Sequence, residues 1–139
     1  MKILLVILIL LNVYSLATLR QPENLRVVKE KYTTLLGNLP EKYTTLSDNR
    51  SIITGFHGTG KEIGYNVNKG YEIGLCVDGT PNEMLHVLIH ELAHSTVDEY
   101  SHSDDFWKNF QELKEHCKRL GIYQDIPTST KFCGKYIRD

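Results

Sequence analysis

The chain has no surplus of charge. Its 139 residues carry 16 Lys and Arg against 17 Asp and Glu, a net charge of -1. Without a bulk positive field, nucleic-acid binding driven by overall charge is excluded. Cysteine is scarce as well. Cys76, Cys117 and Cys133 are too few and too unevenly spaced for a disulfide-scaffolded miniprotein. There is no phosphate-binding loop, because Gly58-Thr59-Gly60 lacks the longer glycine spacing and the Lys-Ser/Thr ending. There is no repeat array: Glu30–Leu35 recurs as Glu41–Leu46, and two copies do not make a solenoid. A content of 41% hydrophobic and 24% charged residues excludes a disordered chain. The length leaves room for one domain. What the chain does have is concentrated histidine: His86, His90, His94 and His102 stand close together among its six.

The N-terminus is the other concentration. Ile3 to Leu11 is an unbroken apolar run, and apolar character continues to Leu19 between Lys2 and Arg20. Two readings fit residues 1–20. An uncleaved anchor would use Ile3 to Leu19, at the lower length limit for crossing a bilayer. A signal peptide would use Lys2 as its basic start and Ser15-Leu16-Ala17 as its cleavage site. A buried core helix is the bland third reading. The expectation is a membrane-anchored, single-pass or secreted protein, with a functional domain over residues 21–139.

The remaining chain reads as mixed helix and strand. Asn24 to Leu36 has the spacing of an amphipathic helix, closed by Gly37 to Pro40. The second copy, Glu41–Leu46, is rich in Thr and Tyr after Pro40 and reads as a strand. Ser51 to Phe56 reads as a short strand, and Glu62–Val67 with Tyr71–Val77 as a hairpin around Asn68-Lys69-Gly70. Thr80-Pro81-Asn82-Glu83 is a capping box with Pro at the first helical position, so a helix is expected from Pro81 to about Thr96. Phe106, Phe110, Leu113, Cys117 and Leu120 line one face of a last helix from about Asp104 to Leu120. Ile122 to Asp139 reads as a loop-like tail.

The chemistry lies on the helix from Pro81. His90-Glu91-Leu92-Ala93-His94 is an H-E-x-x-H pentapeptide. Residues four apart share a helical face, so both imidazoles can reach one metal ion. Glu91 is then aimed at the open coordination position, where a water binds. Zinc lowers the pKa of that water to about 7, and Glu91 can take its proton and pass it to a leaving amine. A catalytic zinc needs a third protein ligand. His102 is the first candidate, since Ser95 to Ser101 can turn the chain back. Glu112 or Glu115 from the next helix, and Asp98 or Glu99, are the alternatives. His86 cannot join, because residues eight apart on a helix span about 12 Å; it is read as lining a pocket or packing. His57 and His116 carry no spacing signal.

Charge is segregated around this motif. From Gly70 to Trp107 there is no Lys or Arg, while Glu72, Asp78, Glu83, Glu91, Asp98, Glu99, Asp104 and Asp105 are acidic. Such a setting favours a cation and disfavours nucleic acid at the metal mouth. The cysteines are not read as ligands. Cys117 falls on the apolar stripe and Cys76 in a strand, while a Cys117–Cys133 disulfide can form in an oxidising compartment.

Gly64 to Ile73, the HELAH pentapeptide, and His102 with Phe106 together resemble the WLM family of compact zinc metallopeptidases. That family is related to the SprT-like proteases and belongs to the zincins. His102 to Trp107 also looks like the YgjP-type metallopeptidases, and short forms of this character occur in large DNA viruses. The similarity spans roughly Lys42 to Leu120. It implies an α+β minimal zincin fold, a small mostly antiparallel sheet packed on the H-E-x-x-H helix. It implies Zn2+ held by His90, His94 and His102, Glu91 as general base, and a protein or peptide substrate. It implies that extended substrate pairs with the strand beside the helix, here Tyr71, Ile73 and Leu75. Two departures weaken a DNA-repair role: the apolar N-terminus, and Gly74-Leu75-Cys76-Val77 where the repair members carry an arginine-rich strand. The expected function is a zinc metalloendopeptidase. The alternative is a non-catalytic zinc-binding or protein-interaction domain tethered to a membrane.

Overall fold

The computed structural model describes residues 1–18 and 20–138. Helix α1 is Lys2–Thr18, α2 is Glu23–Leu36 and α3 is Thr45–Asp48, preceded by a single 3-10 turn at Glu41–Tyr43. Strands β1 (Ile52–Phe56), β2 (Gly64–Val67) and β3 (Glu72–Cys76) follow, then helices α4 (Pro81–His94) and α5 (Asp104–Arg119). Strands β4 (Thr130–Phe132) and β5 (Lys135–Ile137) end the described chain. The architecture is α+β, as the resemblance implies. The three-stranded sheet has the order β1-β3-β2, with β1 parallel and β2 antiparallel to β3.

Helix α4 is the axis of the molecule. Met84, Leu85, Val87, Leu88, Ile89, Leu92 and Ala93 are all buried on it, packed between the sheet, α2 and α5. Its start follows the sequence signal: the Thr80 hydroxyl accepts from the Glu83 amide at 3.2 Å, and Pro81 occupies the first turn. Helix α5 starts in the same way, with Ser103 accepting from the Phe106 amide at 3.2 Å. The β2–β3 hairpin turns through three consecutive residues with positive φ, Asn68 (51°), Lys69 (54°) and Gly70 (105°).

Several expectations are corrected. The second copy of the six-residue repeat is helical, not extended. In both copies Tyr and Leu are three residues apart and buried, Tyr32 with Leu35 and Tyr43 with Leu46. The helical spacing of those two anchors outweighs the β preference of the threonines. The tail is not a loop but carries the antiparallel β4–β5 hairpin. The cysteine pairing also differs: Cys76 is joined to Cys133, and Cys117 is free and buried.

The expected membrane anchor is corrected as well. Among the described residues no helix is long and apolar enough to cross a membrane. Helix α1 has 17 residues, which at 1.5 Å rise is about 25 Å against a hydrocarbon core of about 30 Å. The expected span ended at Leu19, which lies outside the described residues. The transmembrane segment, the membrane partner and the localisation read from them, membrane-anchored or secreted, lose their support together.

Candidate metal centre

Helix α4 presents His90 and His94 one turn apart on one face, and the chain then doubles back through residues 95–103. This return brings His102 to the same place. One ring nitrogen from each of His90, His94 and His102 lies within 4.8 Å of the others. The Nε2 atoms of His94 and His102 are 3.1 Å apart. Tetrahedral bonds of 2.0–2.1 Å would hold two nitrogens about 3.3 Å apart, so His94 and His102 stand near the separation that one zinc-sized ion imposes, with His90 within reach of the same ion. Phe106, fully buried at the start of α5, backs the group, its ring 4.9, 4.4 and 4.7 Å from those of His90, His94 and His102.

Burial prepares the imidazoles as ligands. It lowers the His90 pKa to about 3, with His94, His102 and His86 adding positive repulsion. Burial also lowers that of His94, followed by His102 and Lys69. Metal ligation needs the neutral ring, and both residues are held in that form. Glu91 is shifted the other way. Burial, with a smaller push from the negative charge of Glu62, raises its carboxyl to about 7. Burying any of these charged forms is costly, which is why both directions trace to desolvation.

The return loop is fixed by groups outside the motif. Thr96 donates to the Ala93 carbonyl at 2.6 Å, and its hydroxyl accepts from Asn109 of α5 at 2.8 Å. Lys69 at the hairpin turn donates to the carbonyls of His94 at 3.2 Å and Glu99 at 2.5 Å, and sits 4.2 Å from the Tyr100 ring. Asn66 of β2 donates to the Glu91 carbonyl and the Ser95 hydroxyl, both at 2.8 Å, and accepts from the Gly70 amide at 2.7 Å. Sequence reasoning assigned no such part to Lys69, Asn66 or Asn109. The available signal for Lys69 was its place in the glycine turn, just outside the stretch that lacks Lys and Arg.

The alternative ligands are engaged elsewhere. Glu112 accepts from Lys42 at 3.1 Å and from the Tyr43 hydroxyl. Glu115 pairs with Lys118 at 3.1 Å, and the Glu99 carboxylate accepts from Ser103. Asp98 does not join the three histidines. His57 bonds Asp78 at 2.8 Å, and His116 bonds the Asn38 carbonyl. His86 is buried, 3.0 Å from the Tyr123 hydroxyl, and lines a cavity with His90 and Glu91. Cys76, Asp78 and Cys133 form a second group of metal-ligand types, but the two sulfurs are bonded to each other and offer no thiolate.

The expected substrate strand is corrected. β3 lies in the middle of the sheet with both edges paired, and Ile73 and Leu75 are fully buried. Neither can touch an added peptide. Tyr71 is 65% exposed but precedes the strand. The open edge beside α4 belongs to β2. A Cβ built on Gly64 would lie 2.6 Å from Val87 Cγ1 and 3.4 Å from Glu91 Oε1, so β2 passes directly over the glutamate.

No protein-family model matches the chain. It is 26% identical over 117 residues to uncharacterized protein 136R of Invertebrate iridescent virus 6, covering 77% of this chain and 61% of that protein. It is 33% identical over 88 residues to uncharacterized protein R325 of Acanthamoeba polyphaga mimivirus, covering 56% of this chain and 45% of that protein. The chain thus spans about half to three-fifths of these relatives. Among solved structures it is similar to that of a Wss1 mutant from Saccharomyces cerevisiae, with a TM-score of 0.53 and 18% identity. That match covers 71% of this chain and 83% of the other. The chain has a fold similar to that of Wss1, and the resemblance drawn from its motifs holds at the level of the fold.

Proposed function

We propose that this chain is a zinc-dependent endopeptidase, with residues 21–139 as its working unit. His90, His94 and His102 hold the ion, and Glu91 is the general base. The carrying observation is the convergence of three histidine nitrogens within 4.8 Å next to a buried glutamate that faces a cavity. An all-nitrogen set of three suits zinc and leaves a fourth position open, as catalytic sites require.

Zinc held by these histidines would supply a Lewis acid at the open position. Glu91 is placed to accept the proton of the attacking water and return it to the leaving amine. Its raised proton affinity suits both halves of this transfer near neutral pH. The substrate backbone adds to the free edge of β2, which sets the scissile bond over Glu91. Phe106 and Trp107 shield one side of the histidine group from water.

The test is Glu91→Gln in the full-length chain. The variant should keep one zinc per chain and lose at least a hundredfold in peptide-library hydrolysis, as removal of a general base does. Cleavage at the wild-type rate would overturn the assignment.

A further inference from the structure

A cavity of about 260 Å3 opens beside the metal centre. His90 and Glu91 form one side of it, and Val87, Trp107, Phe110 and Ile63 give it an apolar lining. Its remaining wall comes from the far end of the chain: Tyr136, Ile137 and Arg138, at the end of the β4–β5 hairpin. At about 30 Å3 per water molecule, the space is large enough for a bulky side chain.

The hairpin is held by contacts that do not involve the histidines. Phe132 is buried over Gly79, where an added Cβ would lie 2.2 Å from the ring. Cys133, at the hairpin turn, is bonded to Cys76 at the end of β3. Ile137 is 5% exposed and Tyr136 is 72% exposed, so the first is part of the wall and the second stands at the rim. The wall can therefore be altered without touching the group that holds metal.

We infer that the C-terminal hairpin determines specificity, and that Ile137 selects a bulky apolar side chain of the substrate next to the scissile bond. This rests on the peptidase reading for the words "substrate" and "scissile"; the pocket itself is argued from its own lining. Burying a Leu or Phe side chain there is worth roughly tenfold to a hundredfold in affinity over glycine. An acidic side chain loses hydration against the apolar residues and meets Arg138 as the one guanidinium of the lining, so an Asp peptide tests whether the apolar wall or that cation dominates.

Trp107 is the chain's one tryptophan and lines the cavity, so its emission reports occupancy without any need for turnover. The full-length chain carrying Glu91→Gln is titrated with N-acetyl-Ala-Ala-X-Ala amides in which X is Leu, Phe, Gly or Asp. The Leu and Phe peptides should bind at least tenfold more tightly than the Gly and Asp peptides. Ile137→Ala should weaken the Leu peptide severalfold, and Ile137→Phe, which adds bulk without adding a second indole, should narrow the pocket and reduce the preference, with zinc content unchanged in both. If Ile137→Phe fails to fold by circular dichroism, Ile137→Ala and Cys133→Ser decide. Equal affinity for all four peptides, or a preference that persists in the variants, would overturn the inference. A wild-type chain that cuts none of the peptides while the Ile137-dependent preference is present would sink the peptidase reading and leave the wall standing.

Discussion

At the scale of single residues, the site depends on side chains that never face the metal position. Lys69 spans the gap between the hairpin turn and the return loop, holding the carbonyls of His94 and Glu99. His102 is exposed and sits in that loop, so its position depends on such ties. Lys69→Met keeps the length of the side chain and removes its hydrogen bonds. It should weaken zinc binding about tenfold, the lower end of the effect of losing outer support at metal sites. Competition with a chelating dye measures this, and unchanged affinity would mean that the loop is held without Lys69. The three histidines that converge were legible in the sequence, because H-E-x-x-H is a local pattern and His102 follows after one short connection. Lys69 was not, because its two bonds cross 25 and 30 residues of chain.

At the scale of elements, local signals and long-range pairing separate cleanly. The start of α4 was readable from Thr80, Pro81 and Glu83, and that of α5 from the apolar stripe beginning at Phe106, because caps and periodicity are local. The place of β3 in the sheet was misread. Its run Ile73-Gly74-Leu75-Cys76-Val77 has no polar side chain, which is the pattern of a strand covered on both faces. Pairing order depends on partners elsewhere in the chain, so periodicity alone left the centre and the edge undistinguished. The two Glu-Lys-Tyr-Thr-Thr-Leu copies show the reverse case, in which one buried Tyr–Leu spacing gives helix twice. β2 gives this scale its prediction. Gly64→Ala would place a methyl group 2.6 Å from Val87, which is itself buried on α4. Overpacking of this kind costs about 1–3 kcal/mol. The variant should melt at a lower temperature and, with β2 lifted from Glu91, should hydrolyse peptides more slowly. A stable variant of full activity would contradict the close passage of β2 over the active helix.

At the scale of the whole molecule, one covalent link joins the C-terminal hairpin to the central strand. The Cys76–Cys133 bond closes a separation of 57 residues and leaves Cys117 as the free thiol. Burial pushes the Cys117 thiol up to about 12, so at pH 8 it stays protonated and unreactive in the folded chain. A maleimide should therefore label no site on the native protein, one after unfolding, and three after unfolding with a reductant. Three labels without reductant would mean that the hairpin is not covalently tied. The sequence pointed to Cys117 as the partner of Cys133, since neither the tail hairpin nor its docking at the end of β3 has a local signal.

The proposed function requires that three histidines, and no cysteine, hold the zinc. Zinc-edge X-ray absorption of the metal-loaded full-length chain tests it directly. The expected spectrum is a shell of nitrogen and oxygen scatterers at about 2.0–2.1 Å with the multiple-scattering pattern of imidazole, lost on His102→Ala. A sulfur shell near 2.3 Å, which would place the ion at Cys76 and Cys133, or no stoichiometric zinc, would contradict it.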